Sequence, residues 1–592
     1  MSTADFPPSP PAWARSDRNS RASLPVAFGP LLGAWLAVPV NAQSTDESAA
    51  GATSPRLKDR YDTVIIGGGH NGLVCACYLA GAGLNVAVFE RRGIVGGAAV
   101  TEEFHPGFRN STASYTVSLL HPKVIHELRL KEHGLKIVER PMSNFLPLPG
   151  GDYLKVGGAS ADGLGGTQAE VARFSTKDAT ALPAYYAMLG RVADVLRALL
   201  LETPPNVGGG VHELFQAWKV GGRLKRLPMA ARRDILDLFT KSAGDILDRW
   251  FESDPIKAAL GFDAVVGNFA SPYTPGSAYV LLHHVFGEVN GKRGQWGHAL
   301  GGMGAITQAM AREAVDRGVE IFTDEPVARV LTRHGRAVGI ALADGTEIAA
   351  QRVVANVNPK LLYLQMIDPA AIDGDFRQRI ENYRCASATF RINVALDAAP
   401  DFSCLPGDGA HLRSGIIIAP SLAYMERAYF DARQHGWSRD PIVELLIPSL
   451  VDRTLAPPGK HVASLFCQHA NPILPDGMSW DVVREEVADL MIATVNRHAP
   501  NFAASVIGRR ILSPLDLERE FGLIGGDIFH GALTLDQLFS ARPVLGHGHY
   551  RGPLKGLYMC GAGTHPGGGV TGVPGHNAAR EILRDWRRGR NA

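Results

Sequence analysis

Three glycines near the beginning of this 592-residue chain have the spacing of a turn that holds phosphate groups. Gly67, Gly69 and Gly72 follow an apolar run, 61–66, and precede a stretch that predicts a helix over 70–82. Glycine permits a tight turn and a close approach of the backbone to a pyrophosphate, and a helix N-terminus offers free N–H groups to it. The spacing therefore predicts a dinucleotide site with cofactor-binding residues Gly67, Gly69, His70, Asn71 and Gly72, of which Gly72 lets helix and strand pack closely.

A second apolar run, 84–89, ends in Glu90. An acid at this position accepts hydrogen bonds from the adenosine ribose, and its negative charge disfavours a 2′-phosphate. The alternative is a glycine-rich turn in an unrelated α/β domain, with Glu90 as a solvated strand end. Because strand, glycines, helix, strand and acid occur in this order, the sequence favours the dinucleotide site.

Both NAD and FAD bind such a turn, and the residues after Glu90 help to distinguish them. The chain continues with Arg91 and Arg92 and reaches a glycine doublet at 96–97. This extension resembles that of glutathione-reductase-like flavoproteins, in which the doublet lies along the pyrophosphate and ribityl chain of FAD. The resemblance implies FAD as the cofactor, with contacts from Arg91, Gly96, Gly97 and Ala98.

A second glycine cluster, 561–569, follows the apolar run 556–560 near the other end of the chain. Its start, Gly-Ala-Gly-Thr-His-Pro-Gly, is nearly that of bacterial carotenoid desaturases. The chain resembles the phytoene dehydrogenase-related, amine-oxidase-like flavoproteins over about residues 60–588, and within them the subgroup named after a pyridine nucleotide-disulfide oxidoreductase domain. The segments that carry this resemblance further are 96–103, 296–304, 455–461 and 522–531.

The family resemblance implies an α/β fold, in which a discontinuous Rossmann-like FAD-binding domain of the glutathione-reductase and amine-oxidase type holds an inserted α+β substrate domain. We assign residues 61–165, 297–365 and 548–588 to the FAD-binding domain, and residues 166–296 and 366–547 to the substrate domain with its helical cap. The same resemblance implies further cofactor contacts from Val327, whose backbone lies near the adenine, and from Gly561, Gly563, Gly569 and Val570.

Local patterns predict the elements that position these residues. Three β-rich runs, 326–331, 337–342 and 346–355, are separated by turn signals and predict a meander. Apolar residues recur with a period near 3.6 over 182–200, which predicts a helical first insert. The second insert is predicted to form a sheet beneath the pocket, with strands at 386–396, 442–447 and 461–467 and a helix at 480–497.

A last helix is predicted to begin at 572–574, because proline suits the first helical turn and the arginines at 584, 587 and 588 suit the last. Reduced flavin carries negative charge around N1 and the C2 carbonyl, and fixed positive potential stabilises it. We hypothesise that the N-terminus of this helix faces that flavin edge and that the glycines at 567–569 contact the ring.

Two histidines could serve as an acid or base beside the flavin, namely His565 and His530. The more ordinary interpretation of each is a loop histidine that bonds to backbone. Flavin-dependent desaturation of unactivated carbon can proceed with little acid or base assistance from the protein. No catalytic base is therefore assigned.

The six cysteines do not form a redox or metal motif. Cys75 and Cys77 are two positions apart on the predicted first helix, so that their side chains point in different directions, and we interpret them as buried structural thiols. No metal site is expected. A formal net charge of +2 gives no indication of nucleic-acid binding.

Residues 1–60 differ from the rest of the chain. Three arginines precede an apolar run, 24–40, in the manner of a secretory signal, but prolines interrupt that run and the arginines are not paired as in a Tat signal. We interpret the segment as a disordered or targeting extension. A cytoplasmic location is expected in a bacterium and a mitochondrial one in a eukaryote, with export as the alternative.

The leading hypothesis is an FAD-dependent oxidoreductase of the dehydrogenase or desaturase type that acts on a hydrophobic, polyene or lipid-like substrate. Oxygen, a quinone or another carrier would accept the electrons. The alternatives are a flavin-dependent reductase or isomerase, and a regulatory, partner-binding flavoprotein with secondary catalysis. Basic and large apolar residues mix over 214–227, which suggests either a peripheral membrane contact or a solvated cap helix.

Overall fold

The computed structural model describes residues 57–157, 164–206, 210, 218, 221–222 and 225–589. The predicted N-terminal extension lies outside the described residues apart from its last positions, 57–60. Most of the basic and apolar segment 214–227 lies outside them as well. Among the described helices, none combines the length and the apolar character that a bilayer crossing requires.

The described strands form two seven-stranded sheets and three two-stranded ribbons. In chain order they are β1 (Arg60–Ile66), β2 (Val86–Phe89), β3 (Thr101–His105), β4 (Phe108–Ser111), β5 (Ile137–Glu139), β6 (Asn144–Pro147), β7 (Tyr153–Val156), β8 (Glu288–Val289), β9 (Lys292–Arg293), β10 (Gly297–Ala299), β11 (Glu320–Phe322), β12 (Val327–Arg333), β13 (Arg336–Leu342), β14 (Glu347–Ala355), β15 (Thr389–Leu396), β16 (Gly415–Ile418), β17 (Trp437–Leu446), β18 (His461–Ala470), β19 (Val506–Leu512) and β20 (Leu557–Met559).

The described α-helices cover the sheets and build the cap. In chain order they are α1 (His70–Gly81), α2 (Pro122–Glu127), α3 (Leu164–Ala172), α4 (Thr176–Leu200), α5 (Met229–Thr240), α6 (Ala243–Trp250), α7 (Asp254–Val265), α8 (Ser277–Val285), α9 (Gly304–Asp316), α10 (Gly374–Glu381), α11 (Leu422–His435), α12 (Trp480–Asn496), α13 (Pro514–Phe521) and α14 (Val573–Arg587).

The first sheet brings the two glycine clusters together. Its strand order is β11-β2-β1-β14-β13-β12, and β20 also pairs with β14. Strand β14 runs parallel to β1 on one edge, while its other edge pairs first with β13 and then with β20. Strands from the beginning and the end of the described chain therefore flank the same central strand, and the predicted meander is confirmed as β12 to β14.

Both faces of the first sheet are covered, as expected for parallel strands made of apolar runs. Ile65 and Val354 face one hydrophobic cluster, which also contains residues of α1, α9 and α14. Val64 and Val353 face another cluster, which contains residues of the meander and of α10. This double covering fixes the register of the strands, because a shift of one residue would exchange their two faces.

The second sheet has the order β19-β15-β18-β17-β16-β6-β7. The predicted strands of the second insert are confirmed as β15, β17 and β18, and the predicted helix as α12. Strands β6 and β7 fall within the range assigned to the FAD-binding domain, yet β6 pairs with β16 of this sheet. The assignment of whole domains stays a prediction, because residues 55–592 form one compact unit.

Alternating residues of β18 divide the second sheet between two environments. Leu465 packs in a hydrophobic cluster with α12, whereas Phe466 packs with the helices of the first insert. The predicted helix over 182–200 is confirmed as part of α4, whose N-cap Ser175 accepts a hydrogen bond from the Asp178 backbone. The helical cap thus lies on the face of the sheet to which Phe466 points.

Candidate functional site

A cavity of about 380 Å³ lies at the carboxyl ends of β1 and β2, where open α/β sheets bind nucleotides. Ligand and cofactor sites have volumes of roughly 300–1,000 Å³. The cavity brings together residues from both glycine clusters, which are separated by most of the chain. The predicted cofactor contacts that line it are Gly67, Gly69, His70, Asn71, Glu90, Arg91, Gly96, Gly97, Ala98, Val327, Gly569 and Val570.

Three predicted contacts, Gly72, Gly561 and Gly563, lie behind the cavity wall and not on it. A Cβ atom on Gly72 would lie 2.4 Å from the carbonyl oxygen of Gly67, and one on Gly563 would lie 2.5 Å from Pro359. On Gly561 it would lie 3.1 Å from a side-chain oxygen of Asn356. These glycines let the loops pack closely beneath the site, as expected for Gly72, and their contact with the cofactor stays a prediction.

The glycine turn and the glycine doublet form one backbone-lined channel. The Gly96 N–H donates to the Gly68 carbonyl at 2.9 Å, and Gly69 and Gly96 form a parallel bridge. A Cβ atom on Gly97 would lie 3.3 Å from the Cα of Gly69. Side chains at these positions would close the channel, so that glycine is required by the mutual approach of the two segments.

Glu90 is held rigidly at the end of β2. Its carboxylate accepts hydrogen bonds from the Gly68 N–H at 2.8 Å and from the Arg92 N–H at 3.0 Å. Each carboxylate oxygen has lone pairs beyond these bonds. The fixed acid on the cavity wall is therefore able to accept hydrogen bonds from ribose hydroxyls, as predicted from its position after the second strand.

Buried polar atoms without a protein partner indicate that this cavity is built for a polar group. The side-chain oxygen of Asn71, Nε2 of His70 and Nδ1 of His530 are buried and have no hydrogen-bond partner, and all three residues line the cavity. Such atoms are normally satisfied by water or a ligand. Together with the glycine channel and Glu90, they fit the dinucleotide portion of FAD.

Both histidines on the cavity wall are neutral at physiological pH. Burial lowers the pKa of His70 to about 4, although its ring also bonds to the Gly569 backbone. Burial and the nearby Arg542 lower the pKa of His530 to about 4. Each ring can therefore offer one donor and one acceptor, and neither adds positive charge to the site.

The C-terminal loop and helix have the predicted arrangement. Gly572, with φ of 72°, is the N-cap of α14, and the helix begins at Val573 with Pro574 in its first turn. Arg584 and Arg587 lie in the last turn. Because Gly569 and Val570 line the cavity just before this helix, its positive N-terminal end lies within a few residues of the cavity wall. That the N-terminus of α14 faces the flavin N1 edge stays a hypothesis.

His565 does not line the cavity. Its Nε2 lies 3.1 Å from the Leu199 carbonyl oxygen, and its ring contacts Phe539 edge-on. Burial lowers its pKa to about 4. The structure therefore supports the ordinary interpretation of His565 as a loop histidine that joins the C-terminal loop to the end of α4.

Beyond the nucleotide channel, the wall is formed by residues that the sequence patterns did not single out as contacts. Phe466, Ile528 and Phe529 supply apolar side chains, and Tyr115 supplies an aromatic ring. The Tyr115 hydroxyl donates a hydrogen bond to the carboxylate of Glu444, so that its proton is already engaged. Ile528 and Phe529 lay within a segment that carried a family resemblance. Phe466 lay within a predicted strand, and no sequence pattern marked Tyr115.

The loop that carries Ile528, Phe529 and His530 is bracketed by a buried acid. The carboxylate of Asp527 accepts hydrogen bonds from the N–H groups of Phe529 at 2.8 Å and Gly531 at 3.1 Å. It also accepts from the backbone of Ala386 and the hydroxyl of Ser387. Asp527 thus binds N–H groups of this loop and joins the loop to the residues just before β15.

A buried arginine, Arg542, binds carbonyl groups of the same loop. The guanidinium of Arg542 is fully buried and donates to the carbonyl oxygens of Phe529 at 2.7 Å and Gly531 at 3.2 Å. It also donates to the Ala562 carbonyl at 2.9 Å, within the C-terminal glycine cluster. Arg542 therefore ties together two segments that line the cavity. Its other carbonyl acceptors are those of Ala532 and Gln537.

The cysteines near the site are buried thiols, as predicted. Cys75 and Cys77 are fully buried on α1, and burial raises the pKa of both thiols. The side chain of Cys75 bonds to that of Cys560, whereas Cys77 donates to the Met310 carbonyl. All six cysteines are free.

Comparison with known proteins gives one family. The flavin-containing amine oxidoreductases match residues 72–428. Mouse pyridine nucleotide-disulfide oxidoreductase domain-containing protein 2 is 43% identical over 559 residues, which cover 91% of this chain and 96% of the relative. One of the limonene dehydrogenase subunits of Castellaniella defragrans is 25% identical, over 88% of this chain and 94% of the relative.

More distant relatives and solved structures agree with this assignment. A lycopene-forming phytoene desaturase from a Paracoccus species is 26% identical, over 88% of this chain and 96% of the relative. A solved structure of putrescine oxidase bound to putrescine superimposes with a TM-score of 0.55 at 16% identity, and covers 89% of this chain and 99% of its own. At that identity the likeness concerns the fold alone.

Proposed function

We propose that this chain, which belongs to the flavin-containing amine oxidoreductase family and is an FAD-dependent oxidoreductase, dehydrogenates a hydrophobic, polyene or lipid-like substrate. The observation that carries the proposal is that one cavity is lined both by the nucleotide motifs and by a group of large apolar side chains. Its nucleotide end is lined by glycine backbone, Glu90 and unpartnered polar atoms. Its other end is lined by Phe466, Ile528 and Phe529.

Apolar walls favour an apolar substrate, because burial of its surface is favourable by roughly 25 cal/mol per Å². The one aromatic hydroxyl at this end, that of Tyr115, is occupied by Glu444. A cationic amine would therefore find no free acceptor among Tyr115, Phe466, Ile528 and Phe529. This composition favours a substrate held by shape and apolar contact over one held by a charged head group.

The flavin supplies the two-electron chemistry, since it accepts hydride at N5. The protein's own contribution is to bind and orient. Glu90 holds the ribose end, and the channel between Gly69 and Gly97 admits the pyrophosphate. The neutral rings of His70 and His530 offer hydrogen bonds without adding charge. Formation of the double bond also releases one proton from the adjacent carbon, and this proton passes to solvent or to a neutral imidazole.

The names of two relatives support this substrate class. One belongs to a limonene dehydrogenase and the other is a lycopene-forming phytoene desaturase. Limonene and phytoene are both unsaturated hydrocarbons. A substrate of that kind matches the apolar end of the cavity described above.

The proposal is tested by anaerobic reduction of the purified, flavin-bound protein with limonene, phytoene and a lipid extract, each added separately. We expect loss of the visible flavin absorbance with at least one of them and formation of a product with an additional double bond. Putrescine serves as the comparison that represents an amine substrate. Reduction by putrescine alone would contradict the proposal, as would failure of all the hydrocarbons and lipids.

A matched pair of variants locates the substrate end of the cavity. Ile528 lines the cavity, and Ile528→Asn should abolish reduction by the hydrocarbon while the flavin spectrum is retained. Ile473 is 80% exposed and distant in sequence, so that Ile473→Asn should leave reduction unchanged. Equal behaviour of the two variants would place the substrate elsewhere.

A further inference from the structure

A second cavity, of about 130 Å³, adjoins the C-terminal glycine loop. Gly568 and Thr571 line this second cavity, whereas Gly569 and Val570 line the nucleotide cavity. A Cβ atom on Gly569 would lie 2.7 Å from Cδ1 of Leu119, and Leu119 also lines the second cavity. One short stretch of loop therefore forms part of the wall of both cavities.

The interior of the second cavity is largely apolar. Its walls come from the segment before α2, the ends of α4 and α8, and the start of α14. The apolar side chains among them are Leu119, Leu120, Leu200, Phe286 and Val573. Cavities of this kind stay dry and take up small apolar molecules such as xenon.

Several polar side chains in this wall are already engaged. Arg197 donates to the carbonyl oxygens of Val285 at 2.7 Å and Phe286 at 2.9 Å. The Thr571 hydroxyl accepts a hydrogen bond from the Val573 N–H at 3.0 Å. The ring of His283 bonds to the Gly568 backbone, and burial and neighbouring His284 lower its pKa to about 3, so that it is neutral. Glu288 lies on the side shared with the groove, and Nδ1 of His283 has no hydrogen-bond partner. The remaining wall is mainly apolar, which favours a small uncharged molecule.

The second cavity lies next to a groove on the surface. Pro122 and Glu288 line it and also line a surface groove of about 290 Å³. The groove continues along α2 past Ile125 and His126. Phe466 and Ile528 line the nucleotide cavity, and neither lines the groove or the second cavity.

We propose that the second cavity is the route by which dioxygen reaches the reduced flavin, an inference that rests on the proposed function. Dioxygen takes two electrons and one proton from the reduced flavin anion and a second proton from solvent. It leaves as hydrogen peroxide, and the flavin returns to its oxidised form. On this route the oxidant moves from the groove through the apolar cavity to the shared loop and does not pass Phe466 or Ile528, where substrate or product binds.

The test uses Leu200, a partly buried residue at the end of α4 that lines the second cavity. The flavin-bound protein is reduced anaerobically by light with a sacrificial donor, so that no substrate is needed, and is then mixed with oxygenated buffer. We expect wild-type reoxidation to rise linearly with dioxygen concentration. In Leu200→Trp, whose indole fills the cavity, we expect the rate constant to fall by about tenfold or more.

Leu199→Trp is the matched control, because Leu199 is partly buried on the same helix and lines neither cavity. Its reoxidation should equal that of the wild type. An unchanged rate in Leu200→Trp with flavin still bound would overturn the route. So would a wild-type protein that is reoxidised only by a quinone or a carrier. A colourless wild-type protein would instead refute FAD binding and the proposed function itself.

A measurement on the unmodified protein keeps the inference testable if the Leu200 variant does not fold. Crystals of the wild-type protein under xenon pressure should show xenon between Leu119, Leu200 and Phe286, because xenon and dioxygen are both small and apolar. Absence of xenon from this cavity, with binding elsewhere in the same crystals, would overturn the proposal.

Discussion

Replacement of Arg542 by methionine should be among the most destabilising single changes near the nucleotide cavity. The side chain donates to five different carbonyl oxygens, and it is fully buried. Methionine fills a similar volume but donates no hydrogen bond. The variant therefore leaves carbonyl groups of two cavity-lining segments, 529–531 and 562, without a donor.

The size of the effect follows from these contacts. The Ala532 carbonyl keeps a second donor, the side-chain amide of Gln537. Each of the other four acceptors left unsatisfied costs about 1–3 kcal/mol, so that together they give at least about 4 kcal/mol before relaxation. Removal of one buried charge also weakens the environment of Asp527, whose pKa Arg542 lowers against the effect of burial. With relaxation and water entering the gap, we expect a loss of about 3–5 kcal/mol in the free energy of unfolding.

Urea denaturation followed by tryptophan fluorescence measures this loss. Release of FAD in the same titration shows at which urea concentration the cofactor cavity is lost. Arg384→Met is the matched control, since Arg384 pairs with Asp536 at the surface and such pairs contribute about 0–1 kcal/mol. Arg542→Lys should fall between the two, because lysine has three donors for the five carbonyls. If Arg542→Met were no less stable than the control, the guanidinium would not be the tie between the two loops.

Three further changes probe the nucleotide site. Glu90→Gln removes the negative charge of the group that accepts the Gly68 N–H. We expect the affinity for FAD, measured by flavin fluorescence, to fall about tenfold or more. Equal affinity would exclude Glu90 as a ribose ligand. Gly569→Leu forces a side chain toward Leu119 at a φ of 98°, so the purified protein should lack the visible flavin absorbance, and normal colour would count against contact of this loop with the ring. The pKa of His530 falls from its ordinary value of 6.5 to about 4 on folding, so that the unfolded chain binds a proton between these values and the folded chain does not. The free energy of unfolding should therefore decline as pH drops from 6.5 toward 4. In urea titrations at several pH values, His530→Gln should show a smaller decline. An unchanged decline would show that protonation of His530 does not destabilise the folded protein.

The predictable parts of the site are those formed by residues that follow one another in the sequence. Strand β1, the glycine turn, helix α1 and Glu90 form one local unit, and each step has its own signal in residue type and spacing. The meander and α14 were predictable for the same reason, because turn residues, proline and terminal arginines mark their bounds.

The substrate end was not predictable, because its residues meet only through long-range pairing. Periodicity shows that Phe466 lies on one face of a strand, but not which helices cover that face. The same limit explains β6, whose partner β16 lies far along the chain and could not be identified from either segment. Arg542 gave no signal either, since its partners are backbone carbonyls and any sequence provides those.

The position of β20 beside β14 has a consequence for biosynthesis. A nascent chain that has just completed β14 possesses the ribose-binding acid and the phosphate turn, but the strand that leads to Gly569 has yet to leave the ribosome. The cofactor chamber is thus closed by the last part of the described chain to be translated. The complete coenzyme site therefore forms only after residues 557–570 have been synthesised.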